Sequence, residues 1–409
     1  MRLLFHDTSS HWSGSVRAFF AAGRALAARG HEVVFSCAPR SALEWRAREA
    51  QLPTVTVTGR AVPAQALGLR RSLRDRMIDV IFVHNEAGDL AASAAVRMVR
   101  RGAVVRRLPA GESLVPRWRT DVARRLAPVT YFLTASPVEM APPPAGTIIR
   151  GELGVAIPLR SHERALTIDG RASPRLACVA TGRSQQRVYS VLRTVALLAE
   201  RHPRIRLTIM GYGLAVDELR VHAASLNIAR LVDFLPAGSE DEALANAELV
   251  WVVADGDDAA FGCLSAMARG LPVFGERTTV TEHFVTTGVH GELFRSLQPP
   301  LMAATVADYA AQPAQRARVG HNARLRVERE FSEREMTNAF ERASRNASDL
   351  AAMDPANPAD DVAAADTPDE ESPTADSAAA DIPAGEDPAA LREHPPSDGD
   401  TRSERVDEG

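Results

Sequence analysis

The chain has 409 residues and a formal net charge of −4, and all 48 of its basic residues are arginine. That length exceeds one ordinary core and predicts two domains with an appendage. The absence of lysine excludes Schiff-base chemistry and a P-loop lysine. The three cysteines, Cys37, Cys178 and Cys263, are scattered without a C-x-x-C spacing, which argues for a reducing compartment and against a zinc site or a disulfide framework.

The charge is divided along the chain. From Asn346 to Gly409 there are 18 acidic residues against 3 arginines and no Phe, Trp or Tyr, which leaves 45 arginines against 34 acids in residues 1–345. A segment so poor in apolar surface does not offset its chain entropy, so residues 349–409 are expected to form a disordered acidic tail. Met1 to Phe5 is too short for the apolar region of a signal peptide, and no apolar run approaches about 18 residues. The expectation is a cytoplasmic protein, at most peripheral at the inner face of the cell membrane.

In chain order, short β runs alternate with helical stretches, the pattern of parallel sheets covered by helices on both faces. Strands are expected at Arg2 to Phe5, Glu32 to Ser36, Val55 to Thr58, Val80 to Val83, Val104 to Arg107 and Thr130 to Thr134. A Gly/Pro-containing stretch from Ala145 to Pro158 separates these from a second series at Leu176 to Ala180, Arg206 to Met210, Leu231 to Leu235, Leu249 to Ala254 and Pro272 to Gly275. The organisation predicted is an N-terminal Rossmann-like domain over 1–160, a second over 161–330, a closing helix over 331–348 and the tail over 349–409, with a cleft between facing strand ends.

The most informative stretch is 251–294. An apolar strand runs into an acidic loop, and Phe261-Gly262 is expected to open a short helix that ends at Arg269-Gly270. Gly262 would let the backbone approach a ligand, and the first amides of a helix, free of intrahelical partners, hold phosphate. The string Ala266-Met267-Ala268-Arg269-Gly270-Leu271-Pro272-Val273, followed by Gly288-Val289-His290-Gly291, resembles the donor-sugar segment of retaining glycosyltransferases of the GT-B fold, in the large family 4 group. An ordinary βαβ crossover would explain the periodicity but not that string.

The resemblance implies an α/β GT-B fold, with two Rossmann-like domains facing across a cleft. It implies a hexosyltransferase that moves a hexose from a nucleoside-diphosphate sugar to an envelope polysaccharide or lipid-linked acceptor, with retention at the anomeric carbon. The leaving phosphate oxygen would serve as base, and neither a cofactor nor a metal is expected. The helix from Glu333 to about Ser348 resembles the family's final helix, which packs back on the first domain.

The resemblance also assigns site residues. Gly14 stands in the polar loop before the first helix, where the family usually has adjacent glycines facing the cleft; a generic β-α-β unit would look much the same. His84 ends the strand Val80 to Val83, at the end of an open sheet where ligand groups gather, and is equally readable as a hydrogen-bonded strand-end histidine. Arg183, followed by Arg187, matches the cation pair that grips the donor diphosphate, an electrostatic role suited to guanidinium groups. Gly211 and Gly213 match a Gly-x-Gly turn beside the nucleotide base. Phe261, Gly262, Cys263, Leu264 and Ser265 complete the donor-binding set, and Asp257, His84 and Arg183 the catalytic one.

The chain departs from the family within the donor segment. Two family glutamates fall on Asp257, expected against the sugar with Asp258 as its substitute, and on Ser265, expected against the ribose. Thr279-Val280 stand where the family has paired glycines, and His283 where it has Glu. These departures leave a second reading open, a non-catalytic GT-B binding or scaffolding protein in a glycan-assembly pathway. An epimerase or phosphorylase fits less well, for want of a paired-carboxylate site or a cofactor lysine. Arginine clusters at Arg70, Arg71, Arg74 and Arg76, at Arg100, Arg101, Arg106 and Arg107, and at Arg117, Arg119, Arg124 and Arg125 suit either a solvated face or peripheral contact with an anionic membrane. No recognised nucleic-acid module or aromatic platform accompanies them, so nucleic acid is not an expected partner.

Overall fold

The structure is a computed structural model that describes residues 1–59, 61–114, 117–134, 148–157, 174–236 and 238–353. The expected tail beyond residue 353 and most of the expected linker lie outside the described residues. The first sheet is built from β1 (Arg2–Asp7), β2 (Glu32–Cys37), β3 (Thr54–Thr56), β4 (Val80–Val83), β5 (Ala103–Leu108), β6 (Val129–Leu133) and β7 (Ile148–Arg150). Its order is β3-β2-β1-β4-β5-β6-β7, parallel throughout. The intervening helices are α1 (Gly14–Ala28), α2 (Ala42–Glu49), α3 (Val62–Asp75), α4 (Glu86–Val99) and α5 (Trp118–Leu126).

The second sheet comprises β8 (Arg175–Thr181), β9 (Arg206–Tyr212), β10 (Val232–Leu235), β11 (Leu249–Val253), β12 (Val273–Glu276) and β13 (Gly291–Phe294). It is ordered β10-β9-β8-β11-β12-β13 and is likewise parallel. Its helices are α6 (Gln185–Ala199), α7 (Val216–Ser225), α8 (Glu240–Ala245), α9 (Gly256–Ala268), α10 (Thr279–Phe284), α11 (Pro299–Ala311) and α12 (Pro313–Glu330). The central strands of both sheets are buried on both faces, which is why they read as continuous apolar runs such as Leu249–Val253.

The last helix, α13 (Glu333–Ala352), returns to the first sheet. Its apolar stripe places Phe340, fully buried, 4.7 Å from Phe132 and 5.4 Å from Phe82, whose ring stacks on Phe5 at 4.6 Å. Burial of one such ring is worth about 1.5–3 kcal/mol, so this helix is a structural part of the first domain although it follows the second in sequence. Ser332 caps its start by accepting the Glu335 N–H.

Two edge strands escape the sequence pattern. β7 has three residues, none buried, and β13 has only four, of which the first two are Gly291 and Glu292. The acidic segment before Phe261 is the larger correction. It is not a loop: α9 begins at Gly256, with Asp255 as its extended N-cap, so Asp257 and Asp258 form its acidic first turn. Carboxylates are favourable at the positive end of a helix, and the Ala-rich sequence that follows propagates it.

Candidate active site

The two sheets face each other at their C-terminal strand ends, and the start of α1 meets the start of α9. Gly14 lies so close to α9 that a β-carbon on it would stand 2.4 Å from the Asp257 carbonyl carbon and 2.5 Å from the Asp258 nitrogen. Two helix N-termini, both electropositive, therefore abut, and the carboxylates of Asp257 and Asp258 lie between them. The Gly14 N–H donates to Asp258 Oδ1 at 2.7 Å, and the Ser15 hydroxyl donates to Asp257 Oδ2 at 2.5 Å.

Asp257 is clasped further by a residue of the first sheet. β5 carries adjacent arginines, and strand alternation sends them to opposite faces. Arg106 turns to the α4–α5 layer, where it meets Asp89 at 3.3 Å and Thr120 at 3.1 Å. Arg107 turns to the cleft and grips Asp257 with two bonds of 2.7 Å, while the Ala110 N–H adds a third donor at 2.8 Å. Burial works against the charged form of Asp257, but Arg107, Ala110 and Ser15 outweigh it and hold the carboxyl below its usual range. Asp258 differs: burial, with Asp257 beside it, pushes it up to about 6 despite the hydrogen bonds from Tyr212 (2.6 Å) and Gly14. Val280, which stands where paired glycines are expected, closes the same end of the cleft, and a β-carbon on Gly111 would meet its Cγ2 at 2.7 Å.

Beside this filled end lies a cavity of about 310 Å³, lined from the second domain by Thr181, Gly211, Tyr212, Phe261 and Ser265 and from the first by Trp12 and Arg17 among others. The expected donor residues Gly211, Phe261 and Ser265 thus do converge. Gly211 is at the end of β9, where any side chain would strike the Ala180 carbonyl, and Gly213 follows in a turn with φ of +69°. Arg17 of α1 reaches across to Ser265 Oγ at 3.3 Å, pairs with Glu240 and covers the Phe261 ring at 4.6 Å.

Other expected groups are elsewhere. Gly262 is in the interior of α9, where a β-carbon would sit 3.1 and 3.2 Å from Val252 and Val179 of the sheet. Its lack of a side chain serves helix–sheet packing, not ligand approach. Cys263 and Leu264 are fully buried beside it, and burial pushes the Cys263 thiol up to about 12. The amides from Gly262 to Ser265 are within the helical ladder, because the Ala259 N–H already bonds the Asp255 carbonyl; the free amides belong to Gly256–Asp258, the turn covered by Gly14. Arg187 is engaged by Asp255 at 2.5 Å and Glu276 at 3.1 Å, whereas Arg183 is exposed at the end of β8 and has no ion pair among the described residues.

His84 lines a separate open cavity of about 670 Å³ with Asp7, Asn85, Glu112 and Arg117 among others. Its Nε2 is 3.4 Å from Asp7 Oδ1. Burial tends to raise Asp7, but His84 and two bonds from Ser9 leave its carboxyl at about 2, firmly ionised at neutral pH. Among the described residues no cluster of His, Cys, Asp and Glu is arranged to hold a metal ion.

Sequence patterning did not single out Arg17, Tyr212 or Glu240, and it grouped Arg106 and Arg107 with a solvated or membrane-facing surface, whereas both are buried. Two adjacent arginines inside an apolar strand were the one available signal for Arg107, since one of them must face each side of the sheet.

Residues 170–326 match the family model described as Glycosyl transferases group 1. Over an alignment of 204 residues the chain is 30% identical to the D-inositol 3-phosphate glycosyltransferase of Streptomyces avermitilis; the alignment covers 44% of this chain and 44% of that protein. Among solved structures, Anabaena Alr3699/HepE in complex with UDP-glucose aligns with a TM-score of 0.65 at 15% identity, covering 84% of this chain and all of that one. The sucrose-phosphate synthase of Thermosynechococcus elongatus aligns at 0.62 and 14% identity, covering 84% of this chain and 98% of that one. At these identities the structural likeness shows the fold, which is GT-B.

Proposed function

We propose that the chain is a retaining glycosyltransferase that transfers a hexose from a nucleoside-diphosphate sugar to an envelope polysaccharide or lipid-linked acceptor. The observation behind this proposal is the cavity at the ends of β8 and β9, lined by Gly211, Tyr212, Phe261 and Ser265, within the stretch that matches the group 1 glycosyl transferase model. The nucleoside occupies that cavity, and Arg183, exposed and without an ion pair among the described residues, meets the diphosphate. The sugar reaches Asp257 when the Arg107 clasp loosens.

The acceptor enters by way of His84 and the Gly14 loop. Its hydroxyl oxygen bonds to the anomeric carbon as the bond to the diphosphate breaks. The leaving phosphate oxygen takes up the hydroxyl proton. Closure of the two domains keeps water from the donor.

Among the described residues no helix is long and apolar enough to cross a membrane. The arginines of α3 to α5, beside an exposed Trp118, support peripheral attachment to an anionic bilayer at its cytoplasmic face.

One observation favours a second reading, a GT-B protein that binds nucleotide without turnover. Every oxygen of Asp257 and Asp258 already has a protein donor. The experiment that separates the two is release of nucleoside diphosphate by the purified chain across a panel of UDP- and GDP-sugars, with and without acceptor glycans. Release that depends on one donor supports transfer. Nucleotide binding without release from any donor supports the second reading.

A further inference from the structure

We propose that Glu240, positioned by Arg17, recognises the ribose hydroxyls of the bound nucleotide, a role for which Ser265 offers only a single hydroxyl already engaged by Arg17. The inference rests on the nucleotide-binding reading above and adds to it the group that reads the sugar of the nucleoside. Glu240 opens α8 and is 8% exposed. Its two oxygens are in different states: Oε2 is paired with Arg17, whereas Oε1 is buried without a hydrogen-bond partner among the described residues. A buried carboxylate oxygen lacking a donor is unfavourable and rare, and this one belongs to a residue that lines the cavity next to Gly211, Gly238 and Ser265.

The other carboxylates around the cavity are committed. Asp258 accepts from Gly14 and Tyr212, Glu333 pairs with Arg24 at 2.8 Å, and Asp241 pairs with Arg269 while its side chain is 93% exposed. Glu240 is therefore the buried acceptor left for a ligand among the described lining residues. What it lacks is a hydroxyl donor, and a ribose supplies two on adjacent carbons, a match for a carboxylate edge.

Arg17 makes this carboxylate a fixed one. Its guanidinium is held at once by Glu240, by Ser265 Oγ and over the face of Phe261. Because α1 carries Arg17 and α8 carries Glu240, ribose recognition requires both domains and couples nucleotide binding to the closed cleft.

The test is calorimetric titration of the full chain with UDP and GDP and with their 2′-deoxy counterparts. Wild-type protein should bind one ribonucleotide at least about tenfold more tightly than its deoxy form, the scale of one charge-assisted hydrogen bond. Glu240→Gln should reduce that ratio to within about twofold, as expected once the acceptor charge is gone. Ser265→Ala, which removes one of the groups that hold Arg17 but not the carboxylate, should lower the ratio by less than Glu240→Gln does. Glu240→Asp keeps the charge but withdraws the oxygens by one methylene, and it should give an intermediate ratio, a second reading should the Gln variant fold poorly. Nucleotide binding with no ribose preference in the wild type, or an unchanged preference in both Glu240 variants, overturns the inference while leaving the nucleotide site in place. Binding of none of the four nucleotides overturns the donor reading and this inference together.

Discussion

The two ends of the cleft are built on the same helix, α9, and differ in what their polar groups are doing. At the Ser265 end there is open volume and a buried carboxylate oxygen with no donor. At the Asp257 end Arg107, Ala110, Ser15, Gly14 and Tyr212 satisfy all four oxygens of two neighbouring aspartates. A ligand entering the first end completes unmet hydrogen bonds. One entering the second must displace existing ones, two of them from the charged Arg107. Under the proposed function, nucleotide affinity and sugar chemistry are thus separable, and the Asp257 end carries the larger energetic barrier to occupation.

The strongest way to break the contrast is Arg107→Met. Removing one partner from a buried ion pair leaves an uncompensated carboxylate and costs about 3–5 kcal/mol. Here the closed state bears that cost, because opening the cleft lets water reach Asp257. Chemical unfolding should show the destabilisation, and small-angle scattering should show a larger radius of gyration. An unchanged radius and midpoint would mean that the clasp does not hold the domains together.

Gly14→Ala attacks the same end from the backbone. The added carbon would overlap the start of α9, and overpacking of this kind costs about 1–3 kcal/mol. The melting temperature should fall by several degrees while far-ultraviolet circular dichroism stays the same. A melting temperature equal to wild type would show that the two helix starts separate without cost.

Val280→Gly sharpens the comparison in the opposite direction. It removes the apolar side chain that seals Gly111 and restores a small residue there, at a cost of about 1–2 kcal/mol in lost packing. Donor-dependent release of nucleoside diphosphate should rise if the sealed end limits turnover. Equal rates for variant and wild type would place the block elsewhere.

The smallest effect is a pH dependence. Asp258 is raised from 3.8 to about 6, so the folded, closed cleft holds its proton more tightly than the unfolded chain does. Its stabilising contribution is therefore complete below 3.8 and is lost as pH rises through about 6. Asp258→Asn should flatten the stability profile across that window by an amount on the order of 1 kcal/mol. Asp89, also raised to about 6 by burial, titrates in both proteins and cancels in the difference. Parallel profiles for variant and wild type would show that Asp258 is hydrated.

Much of the fold was legible in the chain before any coordinates. Runs such as Val80–Val83 and Leu249–Val253 are apolar because both faces of a parallel sheet are covered, and that requirement is written locally in residue type. The start of α9 was not legible in this way. Acidic residues suit a loop and a helix N-terminus alike, so residue type alone leaves Asp257 and Asp258 outside the helix that contains them and sets Gly262 at its opening, whereas the helix starts at Gly256.

Residue type and spacing carry the alternation of strands and helices and the string Ala266 to Val273 in the second domain. Only the tertiary structure decided what each charge meets. Arg107 and Asp257 are 150 positions apart, Ser15 and Asp257 are 242, and Arg17 and Ser265 are 248. Local periodicity carries no term for partners at such separations, because they are set by how two domains close on one another. The state of a carboxylate, clasped at Asp257 or left half-satisfied at Glu240, follows from that closure.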